Sequence, residues 1–458
     1  MEFIHEPYEP GETIAAIATP PGEGGVAIIR ISGKRALEVA EKIFSGPVRS
    51  YKTHTMHFGT IFNAAKEAID EVLLLVMLGK RSFTGEDTVE IHCHGGSLIA
   101  RRVLEVVLAT GIRAARPGEF SFKAFINGKM DLIQAEAIQE LICAKNEKAL
   151  DAAGSQLKGR LSQKIGTYQK ELTQIAAIIE AWIDFPEEGL EFASVEELLD
   201  RLQSICQDME KLLATFHDGK ILHDGIALCL VGSPNVGKSS LMNALLDKDR
   251  AIVSPIAGTT RDIVEDHLRL NGLNFKVLDT AGIREAEDFV EQEGIRRSRA
   301  AMNEADLILL VLDATRGVTD EDRELMHVLP RDKTIAVWNK VDLPHSSLPE
   351  LDFPHCVRLS AKARSGLDQL HQEIDAVVWK KGPPNREEVL ITNIRHKEAL
   401  SEAITSCQIV MNGLKNGISP EFLSSDMRQA LLYLGRIIGV NVTEDILSSI
   451  FSQFCIGK

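Results

Sequence analysis

Residues 232–239 read Gly-Ser-Pro-Asn-Val-Gly-Lys-Ser. They fit the pattern G-x-x-x-x-G-K-[ST], and their flanks decide the reading. The apolar run Ile226 to Val231 precedes them, and an apolar helical pattern, Leu241 to Leu246, follows. A buried strand feeding a helix through a glycine-rich turn aims backbone N–H groups and the helix dipole at a phosphate chain. Lys238 then reaches the β- and γ-phosphates, and the Ser239 hydroxyl is placed to ligate Mg²⁺. Val236, Gly237 and Ser240 share this phosphate-binding turn. The stretch predicts an α/β domain with a mixed sheet and flanking helices.

A base-recognition element lies downstream. Asn339-Lys340-Val341-Asp342 follows the apolar run Ile335–Trp338. Asp342 can accept guanine's N1–H and exocyclic amine, a donor pair adenine lacks. Asn339 can brace the loop, and the Lys340 stem can cover the purine face. Ser360-Ala361-Lys362 follows the strand-like Cys356–Leu359, and its backbone N–H suits guanine's carbonyl oxygen. Between the two stand Gly258-Thr259-Thr260-Arg261-Asp262 and Asp279-Thr280-Ala281-Gly282, the latter ending the apolar strand Phe275–Leu278. In this order the elements resemble the GTPase superfamily, in which Thr260 joins Ser239 on Mg²⁺.

Composition narrows the setting. The 458 residues are 44% hydrophobic and 26% charged, an ordinary globular mix with room for several domains. The net charge of −15 argues against a protein that coats nucleic acid nonspecifically. The clusters Arg296-Arg297-Ser298-Arg299 and Arg101-Arg102 read first as solvated helix faces. No apolar run approaches the ~20 residues of a membrane span. Seven scattered cysteines without a C-x-x-C pair fit a reducing cytoplasm.

Residues 1–125 read as a compact α+β unit, with strands Thr13–Ala18, Val26–Ser32, Val72–Leu78 and Thr88–His92 and helices Lys34–Phe44 and Ser97–Thr110. Residues 126–220 read as helical. Apolar steps of three and four from Val195 through Phe216 predict one long helix, and Trp182 with Asp184-Phe185-Pro186 marks a helix end and core anchor. The phosphate-binding domain occupies 221–382. Helical signal returns over 383–458, at Ile394–Val410, Phe422–Leu434 and Thr443–Phe454. The expected chain is therefore multidomain α/β, with the nucleotide domain inserted between two halves of a helical domain.

The catalytic detail departs from the Ras pattern, where a Gln after D-x-x-G orients the attacking water. Here Ile283 stands there. Asn235 in the phosphate loop and the segment Ser254-Pro255-Ile256-Ala257-Gly258-Thr259-Thr260 resemble the potassium-activated GTPases. That resemblance implies a K⁺ held by Asn235, Ser254, Ile256 and Thr259.

Motifs elsewhere sharpen the resemblance. They are Thr19-Pro-Pro-Gly-Glu-Gly-Gly-Val, Ser82-Phe-Thr-Gly-Glu-Asp, His94-Gly-Gly, Arg116-Pro-Gly-Glu-Phe, Asp131-Leu-Ile-Gln-Ala-Glu-Ala and the terminal Cys455-Ile-Gly-Lys. Together with the nucleotide motifs, they make the whole chain resemble the MnmE (TrmE) family of tRNA modification GTPases, within the TrmE–Era–EngA-like superfamily. The family implies a folate-binding-like N-terminal domain and a homodimer formed through it. It implies a flavoprotein partner, MnmG (GidA), in a heterotetramer or larger complex. Together they place an aminomethyl-type group at C5 of the wobble uridine of certain tRNAs. The one-carbon unit comes from a tetrahydrofolate derivative (5,10-methylene- or 5-formyl-), contacted by Arg30, Glu90, Lys129 and Lys458. Glu291 aligns with the family's catalytic Glu for water, and Cys455 is implied in the modification chemistry. A GTP-driven switch in ribosome assembly is the alternative that the nucleotide motifs alone leave open. His92-Cys93-His94 puts two imidazoles on one strand face, but without another pair at ligand spacing it reads as a strand end rather than zinc. Gly22-Glu-Gly-Gly lacks the full dinucleotide fingerprint.

Overall fold

The computed structural model describes residues 2–3, 6–144, 146–185, 193–248, 267–270, 272–278, 301–379, 382, 384–385 and 388–457. The chain forms two compact units. The first comprises Met1–Ile142, Gln156–Met209 and Glu398–Lys458; the second comprises Cys143–Ser155 and Glu210–Lys397.

In the first unit, a ribbon of β1 (Glu2–Phe3) and β2 (Glu6–Pro7) precedes β3 (Ile14–Ile17), β4 (Val26–Ser32), β5 (Thr55–Phe62), β6 (Ala68–Met77), β7 (Thr88–His94) and β8 (Arg113–Ala114). The last six form a sheet in the order β5-β6-β7-β4-β3-β8, antiparallel except for the parallel β3–β8 pair. Helices α1 (Ala36–Ile43) and α2 (Ser97–Leu108) cover one face. They lay Val39, Ala40, Val103 and Val107 against Ile29, Ile31, Leu74, Val89 and Ile91. Because strand side chains alternate, residues 28, 30, 90 and 92 stand on the opposite face. Strand β5 escaped the sequence reading. Its apolar residues change face, with Met56 and Phe58 exposed but Ile61 buried, and a register shift interrupts its end. Helix α3 (Glu119–Ile126) was also not expected, because it buries Glu119 and Lys123 along with Phe120 and Phe122 and shows no polar stripe.

The helices that follow in the chain keep the expected 3.6-residue period; of them, residues 147–155 and Phe216–Asp224 belong to the second unit. α4 (Leu132–Cys143) and α5 (Glu147–Leu157) lead into α6 (Arg160–Asp184), which buries Leu161, Ile165, Tyr168, Leu172, Ile175 and Ile179 and packs along the helix Pro420–Ile438. The helix from Val195 stops at Ala214 rather than passing through Phe216, so the expected single helix is two: α7 (Val195–Ala214) and α8 (Phe216–Asp224). A tight turn, Thr215 N–H to Leu212 O at 3.1 Å, makes the break, and the Thr215 hydroxyl also bonds Leu212 O at 2.7 Å. Trp182 is half-buried on α6 rather than a core anchor. Near the C-terminus, Tyr8, Phe122, Phe451 and Phe454 form an edge-to-face and tilted cluster with centroids 5.0–5.4 Å apart.

The second unit holds a mixed sheet built from β9 (Ile226–Val231), β10 (His267–Leu270), β11 (Leu273–Leu278), β12 (Leu307–Asp313), β13 (Thr334–Asn339) and β14 (His355–Arg358). Its order is β10-β11-β9-β12-β13-β14. Only the β10–β11 pair is antiparallel. Leu228, Leu230, Leu309, Val311 and Val337 bury on one side. Cys229, Val231, Ile308, Leu310 and Trp338 bury on the other. A parallel sheet covered on both faces reads as continuous apolar runs, as Leu307–Leu312 does.

Candidate functional site

The phosphate loop sits where β9 hands over to α9 (Lys238–Lys248). Gly232 (φ +145°) passes so close to β12 that a Cβ would stand 2.2 Å from Val311 O. Gly237 (φ +99°) admits no Cβ either, since Asn339 Nδ2 would lie 2.3 Å away. These glycines make a cradle of bare backbone. Ser233 donates to Asp322 Oδ1 at 2.6 Å, and Asp322 is itself locked in a capping box with Thr319 at the start of the helix Asp320–Val328. Asn235 adopts φ +65°, and its side chain is exposed. Lys238 Nζ curls onto Gly232 O (2.7 Å) and Ser233 O (3.0 Å). Burial pushes its pKa down, with Asp322 opposing. Ser239 and Ser240 are exposed at the N-terminus of α9, where a phosphate or a phosphate-bound cation would meet them.

The base-side loops are tied to this cradle by Asn339 and Lys340. Asn339 Nδ2 donates to Val236 O at 2.9 Å, and Asn339 Oδ1 accepts from Ala361 N–H at 3.0 Å. Lys340, at φ +65°, bonds Asn235 O (2.7 Å) and Asp313 Oδ2 (2.6 Å). Asp313 ends β12, is only 3% exposed, and also accepts from Thr315 N–H and Oγ1. Burial would raise its pKa; the bonds from Lys340 and Thr315 outweigh that and hold it low. Asp342 and Lys362 are exposed, and the buried Ser360 accepts from Ala363 N–H at 3.0 Å. Asp313 and Asp322 were not singled out from the sequence. Their long-range partners, Lys340 and Ser233, lie 27 and 89 residues away; only the turn with Thr315 and the capping box with Thr319 are written locally. Ser254, Ile256, Thr259, Thr260, Asp279, Thr280, Ala281, Gly282, Glu291 and Lys458 lie outside the described residues.

A second constellation occupies the open face of the first unit's sheet. Arg30 on β4 is in register with Glu90 on β7, and Arg30 Nε donates to Glu90 Oε1 at 2.8 Å. Arg30 Nη1 donates to Gly457 O at 3.2 Å, and the guanidinium lies 5.8 Å from the Phe83 ring and 5.6 Å from the Phe120 ring. The C-terminal tail is seated by Gly457 (φ +94°), where a Cβ would stand 2.4 Å from Ile17 O. Cys455, two residues earlier, is exposed. Lys129 is exposed and donates to Lys80 O at 2.7 Å, at the root of the loop that carries Phe83. The carboxylate, guanidinium and aromatic edges at Arg30 and Glu90 suit a flat heteroaromatic group with adjacent N–H donors. A buried ion network supports the Phe83 loop and α3. Lys123, with no exposed surface, bonds Glu86 Oε2 (2.7 Å) and Glu12 O. Arg113 grips Glu119 (Nη1 to Oε2, 2.9 Å) and Glu12. Glu86 and Glu119 stand in the sequence only as parts of motifs; the burial of Glu119 and Lys123 is what the sequence does not display. Among the described residues, no group of three or more His, Cys, Asp or Glu side chains is placed to hold a metal. His94 instead pairs with Asp70 at 2.7 Å.

The comparisons with known proteins agree in kind. Residues 13–129 match the model described as the GTP-binding protein TrmE N-terminus, and residues 132–455 match the MnmE helical domain. A tRNA modification GTPase MnmE of Protochlamydia amoebophila is 69% identical over 458 residues, covering all of both chains. One from Clostridioides difficile is 42% identical over 456 residues, covering 98% of this chain and 99% of that one. Among solved structures, an Aquifex aeolicus Era variant bound to GDP·AlF4⁻ is 28% identical. It covers 40% of this chain and 67% of its own, and its TM-score of 0.27 is too low to weigh.

Proposed function

The chain belongs to the MnmE (TrmE) family of tRNA modification GTPases, and we propose that it couples GTP hydrolysis to modification of the wobble uridine of certain tRNAs. The observation that carries the nucleotide half is the Asn339–Lys340 bridge. One dipeptide ties the phosphate cradle (Val236 O, Asn235 O) to the base side (Ala361 N–H), so phosphates and guanine are read by a single pre-assembled surface. Lys238 and the N–H groups of Asn235 to Ser240 hold the phosphates. Ser239 with Thr260 holds Mg²⁺, and Asn235 with Ser254, Ile256 and Thr259 holds K⁺, whose charge serves where an arginine finger would otherwise act. Glu291 orients the water that Ile283 cannot. GTP hydrolysis drives a conformational change through the segment containing Thr260.

The modification half rests on the Arg30–Glu90 face. Glu90 accepts the N–H donors of a tetrahydrofolate derivative, and Arg30 with Lys129 and Lys458 binds its carbonyls and glutamate tail. The ligand supplies the one-carbon unit. Cys455 acts in the transfer chemistry and has no part in GTP hydrolysis. The homodimer forms through the N-terminal sheet, where edge strand β5 and its neighbour expose Met56 (47%), Phe58 (70%) and Leu73 (42%), an apolar patch that asks for cover. The flavoprotein MnmG completes the complex. The site of action is the cytoplasm; no described helix is long and apolar enough to cross a membrane.

The test is mass analysis of wobble uridines from cells lacking the protein. Loss of the modified base, restored by the wild-type chain but not by Cys455→Ser, is the expected result. Normal uridine modification with defective ribosomal particles would replace this reading with an assembly switch.

A further inference from the structure

His92 stands two residues beyond Glu90 on β7, on the same open face, and is in register with Ile28 of β4 and Leu73 of β6. Its Nε2 is buried and has no hydrogen-bond partner among the described residues. Glu90 Oε2 stands 3.5 Å away, within ion-pair distance but outside hydrogen-bond geometry. A buried ring nitrogen without a partner is costly, and every apolar neighbour in the register could pack against Leu or Met instead. The orphaned atom sits one step along the strand from a carboxylate whose second oxygen, Oε2, is not the one Arg30 takes.

We propose that His92 is a third ligand-contacting side chain of the Arg30–Glu90 site, reading the carbonyl of a 4-oxo pterin. This deepens the folate reading given above and rests on it. The edge of a 4-oxo pterin presents an amine, a ring N–H and a carbonyl oxygen in a row. Glu90 accepts from the first two; a donor beside it completes the row. The neutral imidazole with its proton on Nε2 is that donor. A 4-amino pterin presents N–H where the carbonyl stood and leaves His92 without an acceptor. His92 thus reads the carbonyl of the 4-oxo ring, while Glu90 takes the 2-amine that both rings share and the ring N–H that the 4-oxo form carries beside its carbonyl.

The experiment is calorimetric titration of the full-length protein with 5-formyltetrahydrofolate, a 4-oxo probe, and with its 4-amino counterpart. Wild type should prefer the 4-oxo probe. His92→Ala should weaken it about tenfold, the loss of one hydrogen bond, and leave the 4-amino probe unchanged. His92→Gln, which restores an N–H donor, should return 4-oxo affinity to within about threefold. Unchanged 4-oxo binding by His92→Ala overturns the proposal. So does an equal loss for both probes without rescue by Gln, which marks His92 as a shape-keeping residue. Wild type binding neither probe overturns the folate reading itself and this inference with it. Wild-type binding abolished by Glu90→Gln but untouched by His92→Ala removes His92 alone.

Discussion

Replacing Gly457 by Ala should undock the C-terminal tail without unfolding the protein. The residue sits at φ +94°, in the left-handed region that costs an L-residue about 1–2 kcal/mol. Its new Cβ would lie 2.4 Å from Ile17 O and 2.8 Å from Ala18 Cα, both backbone atoms that cannot swing away, so relief must come from the tail. Against this stands one charge-assisted hydrogen bond, Arg30 Nη1 to Gly457 O at 3.2 Å, worth about 1.5–3 kcal/mol. The two ranges overlap, so the docking equilibrium constant should fall by about tenfold and an undocked tail should become populated. The loss stays local because Phe451 and Phe454, buried in the aromatic cluster, anchor the helix just before the tail. Hydrogen exchange followed by mass spectrometry should report faster exchange in residues 455–457 and at Ala18. GTP turnover should stay unchanged and wobble-uridine modification should drop. Wild-type exchange in the tail of Gly457→Ala, with modification intact, would refute the claim that this glycine seats the tail.

Other substitutions and conditions separate the two sites. Asn339→Ala orphans Val236 O and Ala361 N–H, at about 1–3 kcal/mol each. Calorimetry should show a lower melting transition and nucleotide titration a weaker affinity. Asn339→Asp keeps the acceptor for Ala361 and should fall between the two; if it matches wild type, the donor to the phosphate loop is not what matters. The hydrogen bond from Arg113, opposed by burial, holds the Glu12 carboxyl below the usual carboxylate range. Its folded pKa is depressed, so the stability it lends is present above the unfolded value and is lost as pH falls through the folded one. Urea midpoints should drop from about pH 5 to pH 3, and Arg113→Met should flatten that part of the profile. GTP turnover should be faster in KCl than in NaCl at equal ionic strength, and Asn235→Ala should lose the response; equal rates in the two salts discard the K⁺ site. Glu291→Ala should lower kcat by about 10²–10⁴-fold with little change in GTP affinity, and a matching loss of affinity would make it a folding residue instead.

What could be read in advance was whatever the chain writes contiguously. Strand, turn and helix around Gly232–Ser239 are neighbours in sequence, so their apolar runs and glycines announce the strand–turn–helix that the fold forms there. Asn339 could be foreseen as a brace because the loop it closes begins at its own strand end. The clamps that finish the site were hidden because each joins residues far apart, as Ser233 joins Asp322 and Lys340 joins Asp313. Burial of charge hid the rest: nothing in the sequence singles out Lys123, and Glu119 stands there only within a motif, yet the fold buries both and sets Glu86 and Arg113 against them. The same logic bears on the tail. Arg30, near the start of the chain, spends one donor on Gly457 near its end, while the second unit is formed by residues between them. The Arg30–Glu90 face is therefore complete only when both ends of the chain have been made and folded together. A protein truncated before residue 455 should keep the loops around Gly232–Ser239 and Asn339 yet lose the carbonyl that Gly457 offers Arg30.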